Sequence, residues 1–247
     1  MSAPQEEPTA MREARHLIVN ADDFGLTSGV NRGIIEAYEN GIVTSASLMV
    51  RYDAARKAAE YARSHPDFSI GLHFELGEWR YSSGEWVLAY QVVDAEDASA
   101  VEGELRRQLE IFEQLMGRAP THLDSHQHVH QSEPARSIAL AAARRMGVPL
   151  RACDERIRYA GEFYGQTGQG DPYPDGISIG GLIAVIDRLP VGWTELGCHP
   201  GYSDGLDSVY GREREEEVRV LCDPAIAHAL ADSGVQLWSF ADLPHAR

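Results

Sequence analysis

The sequence predicts an α/β fold in which roughly seven βα units close, or nearly close, into a barrel. Two observations carry that expectation. Short apolar runs alternate with longer stretches of helical periodicity along the chain, the pattern of parallel βαβ units. Residues able to carry chemistry recur at the ends of several apolar runs, where barrels and open parallel sheets both build their sites. A doubly wound open sheet is the competing topology. At 247 residues the chain suits one large domain better than two small ones.

The elements follow in order. His16 to Ala21 is a near-continuous apolar run and reads as a buried parallel strand. Ser28 is placed to cap a helix to about Glu39, whose Val30, Ile34, Ile35 and Tyr38 share one face, and Gly41 stops it. Ile42 to Val50 is a second strand, Ala54 to Arg63 a short Ala-rich helix, and Phe68 to His73 a third strand. Asp97 to Met116 is a long helix with Leu105, Leu109, Phe112 and Leu115 at helical spacing. Then come a strand at His122 to Ser125, a helix at Ser132 to Met146 ended by Gly147, and a strand at Val148 to Ala152. Residues 179–189 read as helix and Thr194 to Cys198 as strand. Helices from about Glu213 to Leu221 and Pro224 to Ser233 precede a last strand, Val235 to Phe240. Two stretches stand outside this alternation: Gly77 to Gln91, with Trp79, Tyr81, Trp86 and Tyr90, and the Gly-, Pro- and Tyr-rich Gly161 to Gly181. Loops of such length inside a compact domain are often lids or binding loops.

Composition narrows the function. A net charge of −16 with no basic stretch argues against a nucleic-acid partner. No apolar run reaches the roughly 18–20 residues of a membrane span. Residues 1–14 are polar, lack the pattern of a signal peptide and read as a disordered leader, with a single domain over 15–247. Cys153, Cys198 and Cys222 form no paired spacing and suggest reduced thiols in a cytoplasmic protein.

The richest segment is Thr121-His-Leu-Asp-Ser-His-Gln-His-Val-His130, which holds four of the ten histidines and Asp124. Imidazoles beside a carboxylate suit a divalent cation. Asp22-Asp23, His73, His126 and His199 all lie at carboxyl ends of predicted parallel strands. Taken singly each has a plainer reading: a polar helix-capping turn for Asp22-Asp23, a packed histidine for His73, a Pro-Gly turn for His199 to Tyr202. Together, one carboxylate and two imidazoles make a facial set that leaves positions for water and substrate. A cation lowers the pKa of a bound water from about 15.7 to around 7, a neighbouring carboxylate accepts its proton, and an imidazole opposite can protonate a leaving amine.

Leu17-Ile-Val-Asn-Ala-Asp-Asp-Phe-Gly25, Asn31-x-Gly-Ile-Ile-Glu36, Asn40-Gly-Ile-Val-Thr-Ser45, Gly71-Leu-His73, the 121–130 segment and Cys198-His-Pro-Gly-Tyr202 resemble, in order, the YdjC-like carbohydrate deacetylases, which include chitooligosaccharide deacetylases. The resemblance runs from the first strand to Leu237–Leu243. It implies a distorted (β/α) barrel of the polysaccharide-deacetylase kind and hydrolysis of an N-acetyl group from a small amino sugar, oligosaccharide or glycoconjugate. It also implies one divalent metal, Mg²⁺ by family, with Zn²⁺ favoured by two imidazole ligands on softness grounds. Carried over by position, it makes Asp23, His73 and His126 the metal ligands, Asp22 the general base and His199 the general acid, which would then stand protonated in the working enzyme. His128 and His130 fall in supporting or substrate-contacting positions, and Arg151 either orients Asp22 or binds substrate. Trp79, with Tyr81 and Trp86, either stacks on sugar rings or forms the underside of a lid. The rival readings are another metal-dependent amidohydrolase and a non-catalytic carbohydrate-binding relative. Against the first, the first strand ends in Asp-Asp rather than His-x-His; against the second, a binding protein needs no base and acid flanking a metal. The sequence leaves a homodimer open.

Overall fold

The computed structural model describes residues 14–82, 84–206 and 210–244, so the leader, apart from Ala14, lies outside the described residues. In chain order the elements are β1 (Arg15–Phe24), α1 (Ser28–Asn40), β2 (Ser45–Leu48), α2 (Ala55–Ser64), β3 (Ser69–Phe74), β4 (Gly77–Ser82), β5 (Glu85–Gln91) and α3 (Ala98–Met116). They continue with β6 (Leu123–Ser125), a tight turn at His126–Gln131, α4 (Ala135–Met146), β7 (Ile157–Ala160) and α5 (Ile179–Asp187). Last come β8 (Gly192–Cys198), α6 (Gly211–Leu221), α7 (Pro224–Asp232) and β9 (Val235–Trp238). Among the described residues no helix is long and apolar enough to cross a membrane.

The strand order decides between the two topologies. The sheet runs β6-β3-β2-β1-β8-β7, all parallel, with β9 also on β1. Followed as a circuit from β1, the order is β1, β2, β3, β6, β7, β8 and back to β1, which is chain order without reversal. A doubly wound sheet reverses at a switch point; an unreversed circuit is a barrel. The seam lies between β6 and β7, where Leu150 bridges Leu123. β9 pairs with Arg15–Ile18 of β1, before β2 begins to pair at Asn20. The product is a distorted, curled (β/α) barrel.

Side-chain alternation sorts this barrel into two environments. Leu17, Val19 and Ala21 of β1, Ala46 and Leu48 of β2, Ile70, Leu72 and Phe74 of β3, and Leu196 of β8 belong to the apolar layer shared with the helices. The opposite faces are small and polar: Asn20, Asp22, Ser47, Gly71, His73, His122, Asp124 and Glu195. A Cβ on Gly71 would stand 2.4 Å from the His122 ring, so glycine is what makes room for that ring, which stacks on Phe240 at 3.7 Å. Phe240 packs with Ile18, Ile157 and Leu243 in a small separate apolar cluster.

Several local expectations change. Thr27, not Ser28, caps α1 by accepting from the Val30 N–H. The strand expected at Val148 to Ala152 shrinks to the Leu150 bridge, because Ala152 turns to φ 55. β7 went unseen because Arg158 and Tyr159 interrupt its apolar run. Gly77 to Gln91 is an antiparallel hairpin, with Tyr81 opposite Trp86 and Trp79 opposite Leu88.

Candidate active site at the barrel mouth

Simple alternation would place Asp23 with Ala21, on the helix side of β1. The β1–β2 register instead slips by a residue between Ala21 and Phe24, and Asp23 takes φ 67. A non-glycine residue there costs on the order of 1–3 kcal/mol and persists only where its surroundings fix it. Asn31 does the fixing: its Oδ1 accepts from the Gly25 N–H at 2.7 Å, and its Nδ2 donates to the Ala54 carbonyl at 3.0 Å. The consequence is two adjacent carboxylates that line one cavity.

Their partners differ. Asp23 Oδ2 pairs with Arg214 of α6. Its Oδ1 lies 3.3 Å from His73 Nε2 and 3.3 Å from His126 Nδ1, yet is buried without a hydrogen-bond partner. These three atoms lie within 4.8 Å of one another. His73 Nδ1 is 2.9 Å from Asp124 Oδ1, which orients the ring and leaves Nε2 facing Asp23. A carboxylate behind a ligating imidazole is the usual support of such a site. An orphaned buried carboxylate oxygen between two ring nitrogens fits a divalent cation. Burial disfavours charge on His73, but Asp124 and Asp23 outweigh it and push the imidazole up to about 10, so a cation on Nε2 displaces a proton. Burial acts against Asp23 too, but Arg214 and the two histidines hold it well below the usual carboxylate range.

Asp22 is held by Arg151. The guanidinium is fully buried and bidentate, with Nη1 to Oδ2 at 2.6 Å and Nη2 to Oδ1 at 2.6 Å. Nη2 also lies 2.8 Å from Asp124 Oδ2, and Nε donates to Glu195 at 2.6 Å. Arg151 therefore stands between Asp22 and Asp124, occupying the second group of potential ligands, Asp22, His73 and Asp124. It is not among the residues lining the cavity, and its contacts with Asp22 are those of the orienting role. Burial raises the Asp22 carboxyl, but Arg151 outweighs it and keeps Asp22 ionised near neutrality. Burial pushes Glu195 up to about 7.

His199 Nε2 is 3.7 Å from Asp22 Oδ2, and its Nδ1 is buried without a partner. Its backbone N–H donates to Glu217 of α6, and Arg214 Nη1 donates to its carbonyl at 3.3 Å. The loop carrying it sits against α1: a Cβ on Gly33 would lie 2.4 Å from Gly201 Cα, and one on Gly29 2.4 Å from the Tyr202 carbonyl oxygen. Burial pushes the His199 imidazole down to about 4, so it is neutral at pH 7.

The four histidines of the 122–130 segment separate. His126 faces Asp23. His128, at φ 54, lines the cavity with Nε2 3.5 Å from the Tyr159 hydroxyl. His130 is buried, 3.1 Å from the Arg151 carbonyl and bonded to Ser125, and so supports the turn. His122 points into the barrel below. The cavity of about 780 Å³ is walled by Trp79, Tyr81 and Trp86 of the hairpin and by the loop after β7. That loop is tied to α6: Gly165 N–H donates to the Tyr210 hydroxyl at 2.7 Å, which donates to Glu217 at 2.6 Å. Tyr164 stacks on Tyr210 at 4.7 Å and meets His199 edge-on. Sequence reasoning placed Asp124 in the histidine cluster without its role behind His73, and missed Arg214 altogether. Strand register held a clue to the first, since Asp124 pairs directly opposite His73.

The model of the YdjC-like protein family matches residues 16–232. A carbohydrate deacetylase of Geobacillus stearothermophilus is 38% identical over 92% of this chain and 98% of its own. A chitooligosaccharide deacetylase of Serratia marcescens is 36% identical over 92% and 98%. Among solved structures, an Enterococcus faecalis V583 protein assigned to cellobiose-phosphate cleavage superposes with a TM-score of 0.73 at 25% identity, over 92% of this chain and 98% of its own. A family 4 carbohydrate esterase of Streptomyces lividans shares the fold, with a TM-score of 0.54 at 12% identity, covering 90% of each chain.

Proposed function

The chain belongs to the YdjC-like family, and from that premise we propose that it is a metal-dependent carbohydrate deacetylase releasing acetate from a small N-acetylated amino sugar, oligosaccharide or glycoconjugate. The observation that carries this reading is the division of labour between adjacent aspartates: Asp23 turns its free oxygen to His73 and His126, while Asp22 turns to Arg151 and His199. A closed binding site has no use for that second carboxylate beside a histidine.

A divalent cation held by Asp23, His73 and His126 would polarise the acetamide carbonyl and acidify a water. The chain's own groups do the rest. Arg151 keeps Asp22 ionised and fixes its orientation, so its carboxylate is ready to accept the proton of the attacking water. His199, neutral at rest, receives that proton across the 3.7 Å contact with Asp22 Oδ2 and delivers it to the departing amine. The proton thus travels from water to leaving group, and both residues return to their starting charge. The hairpin and the loop after β7 wall the cavity and limit water around the reacting amide. Trp79, Tyr81 and Trp86 offer aromatic faces to sugar rings, and His128 and Tyr159 line the same cavity.

Three free cysteines support a reducing, cytoplasmic setting. The test is acetate release from a panel of N-acetylated mono- and oligosaccharides by metal-stripped protein reloaded with Mg²⁺, Zn²⁺ or no cation. The expected result is cation-dependent acetate with an equal yield of free amine. Absence of acetate with every cation would overturn the reading.

A further inference from the structure

The aromatic hairpin and the turn carrying His126 come from distant parts of the chain, yet one side chain joins them. The Trp79 N–H donates to Gln127 Oε1 at 2.9 Å, and Gln127 Nε2 donates to the Trp79 carbonyl at 2.7 Å. The carboxamide therefore meets both backbone groups of one residue on β4, as a neighbouring strand would. β4 carries a register slip between Glu78 and Trp79. Gln127 reaches this edge because it and His128 both adopt left-handed backbone, φ 50 and φ 54. Such conformations are disfavoured for residues with a side chain. The hairpin is anchored separately at its base, where Val92 N–H donates to the Leu76 carbonyl at 2.8 Å and Tyr90 and Tyr52 both donate to the buried Glu75. With the base fixed, a second attachment at Trp79 sets the angle at which Trp79, Tyr81 and Trp86 face the cavity.

We infer that Gln127 is a positioning residue that locks the aromatic wall of the substrate cavity to the turn bearing His126 and His128. This rests on the deacetylase reading for its kinetic consequence, but not for its structural one. A Gln at this position supplies one acceptor and one donor on a single planar group, which matches the C=O and N–H of a strand residue. Neither Ala nor Gly replaces either bond. Glu keeps the length and the acceptor but lacks the donor for the Trp79 carbonyl.

The experiment compares Gln127→Ala, Gln127→Gly and Gln127→Glu with the parent, using di-N-acetylchitobiose as substrate and amide hydrogen exchange over residues 77–91. Exchange at the Trp79 amide should accelerate in the Ala and Gly variants. KM should rise about tenfold, the order of effect expected of two neutral hydrogen bonds at a partly exposed site, while kcat stays within roughly threefold. The Glu variant should fall between. Gly relieves the backbone strain at 127, so equal behaviour of Ala and Gly assigns the effect to the lost side chain. Unchanged exchange at Trp79, or an unchanged KM, overturns the inference. A fall in kcat together with lost metal overturns it as well, because Gln127 would then act through His126. If the parent itself releases no acetate, the deacetylase reading falls, and the exchange comparison still decides the clamp.

Discussion

Replacing Asp124 by Asn tests the metal site without touching a proposed ligand. In the structure Asp124 Oδ1 is 2.9 Å from His73 Nδ1, while Oδ2 lies 2.8 Å from Arg151 Nη2 and accepts from Ser47. Asn keeps the shape and an acceptor oxygen but removes the charge that holds the His73 N–H and makes the opposite nitrogen a better donor to a cation. Supporting carboxylates of this kind are commonly worth 10–100-fold in metal affinity, or about 1.4–2.8 kcal/mol. At a saturating cation concentration the same difference comes off metal-induced stabilisation, since that scales as RT ln(1 + [L]/Kd). The assay is calorimetric titration of metal-stripped parent and variant with Mg²⁺ and Zn²⁺, alongside Tm with and without cation. The variant should weaken Kd by 10–100-fold, lose that increment of metal-induced stabilisation and, because Asp124 is also buried against Arg151 and His73, show a lowered metal-free Tm as well. An unchanged Kd would refute the argument, because His73 Nε2 would then not be binding the cation.

Three further outcomes follow from the same geometry. Asp22→Asn should keep the metal and lose roughly 10²–10⁴-fold in turnover, whereas Asp23→Asn should lose the metal; metal content by mass spectrometry alongside acetate release separates them, and exchanged behaviours would reverse the assignment. Because burial pushes His199 down to about 4, kcat/KM of the parent should show no limb from this residue near pH 6.5, and its advantage over His199→Ala should stay constant from about pH 5.5 to 8 and vanish as pH falls through about 4. A limb between pH 6 and 7 present in the parent and absent in the variant would show a resting imidazolium instead. Burial pushes Glu217 up to about 8, so its contribution to stability is full below the ordinary 4.5 and is lost as pH rises through about 8. Thermal scans should therefore show the parent losing several degrees between pH 5 and 8 that Glu217→Gln does not lose; parallel curves would remove Glu217 as the cause.

What the sequence made legible is what strand ends reveal. Asp22, Asp23, His73, His126 and His199 each follow an apolar run, and parallel strands in a barrel deliver such positions to one mouth. What stayed hidden depends on pairing between distant segments. Arg214 and Glu217 sit in Gly211-Arg-Glu-Arg-Glu-Glu-Glu217, a charged helix that reads as solvated, yet both side chains are buried against Asp23 and the His199 backbone. Arg151 looks like the end of a strand and is the hub of three buried carboxylates. The turn at Asp23 breaks period-two reasoning, and only the register slip against β2 reveals that both aspartates face inward. The hairpin escaped because its exposed residues, Trp86, Val87 and Leu88, lack the apolar–polar alternation of a half-buried strand.

The approach of Gly29 and Gly33 to the loop after β8 has a consequence for the mechanical tolerance of the site. Asp22 and Asp23 sit at the end of β1, and α1 begins five residues after Asp23; its glycine face meets the main chain of Gly201 and Tyr202, just beyond His199. Contacts between side chains yield by changing rotamer, but two main chains in contact have no such freedom. The distance between Asp22 and His199 is thus gauged by backbone against backbone. A methyl group on Gly33 would act as a shim, widening the gap across which the proton must pass while leaving every side chain of the site chemically unchanged.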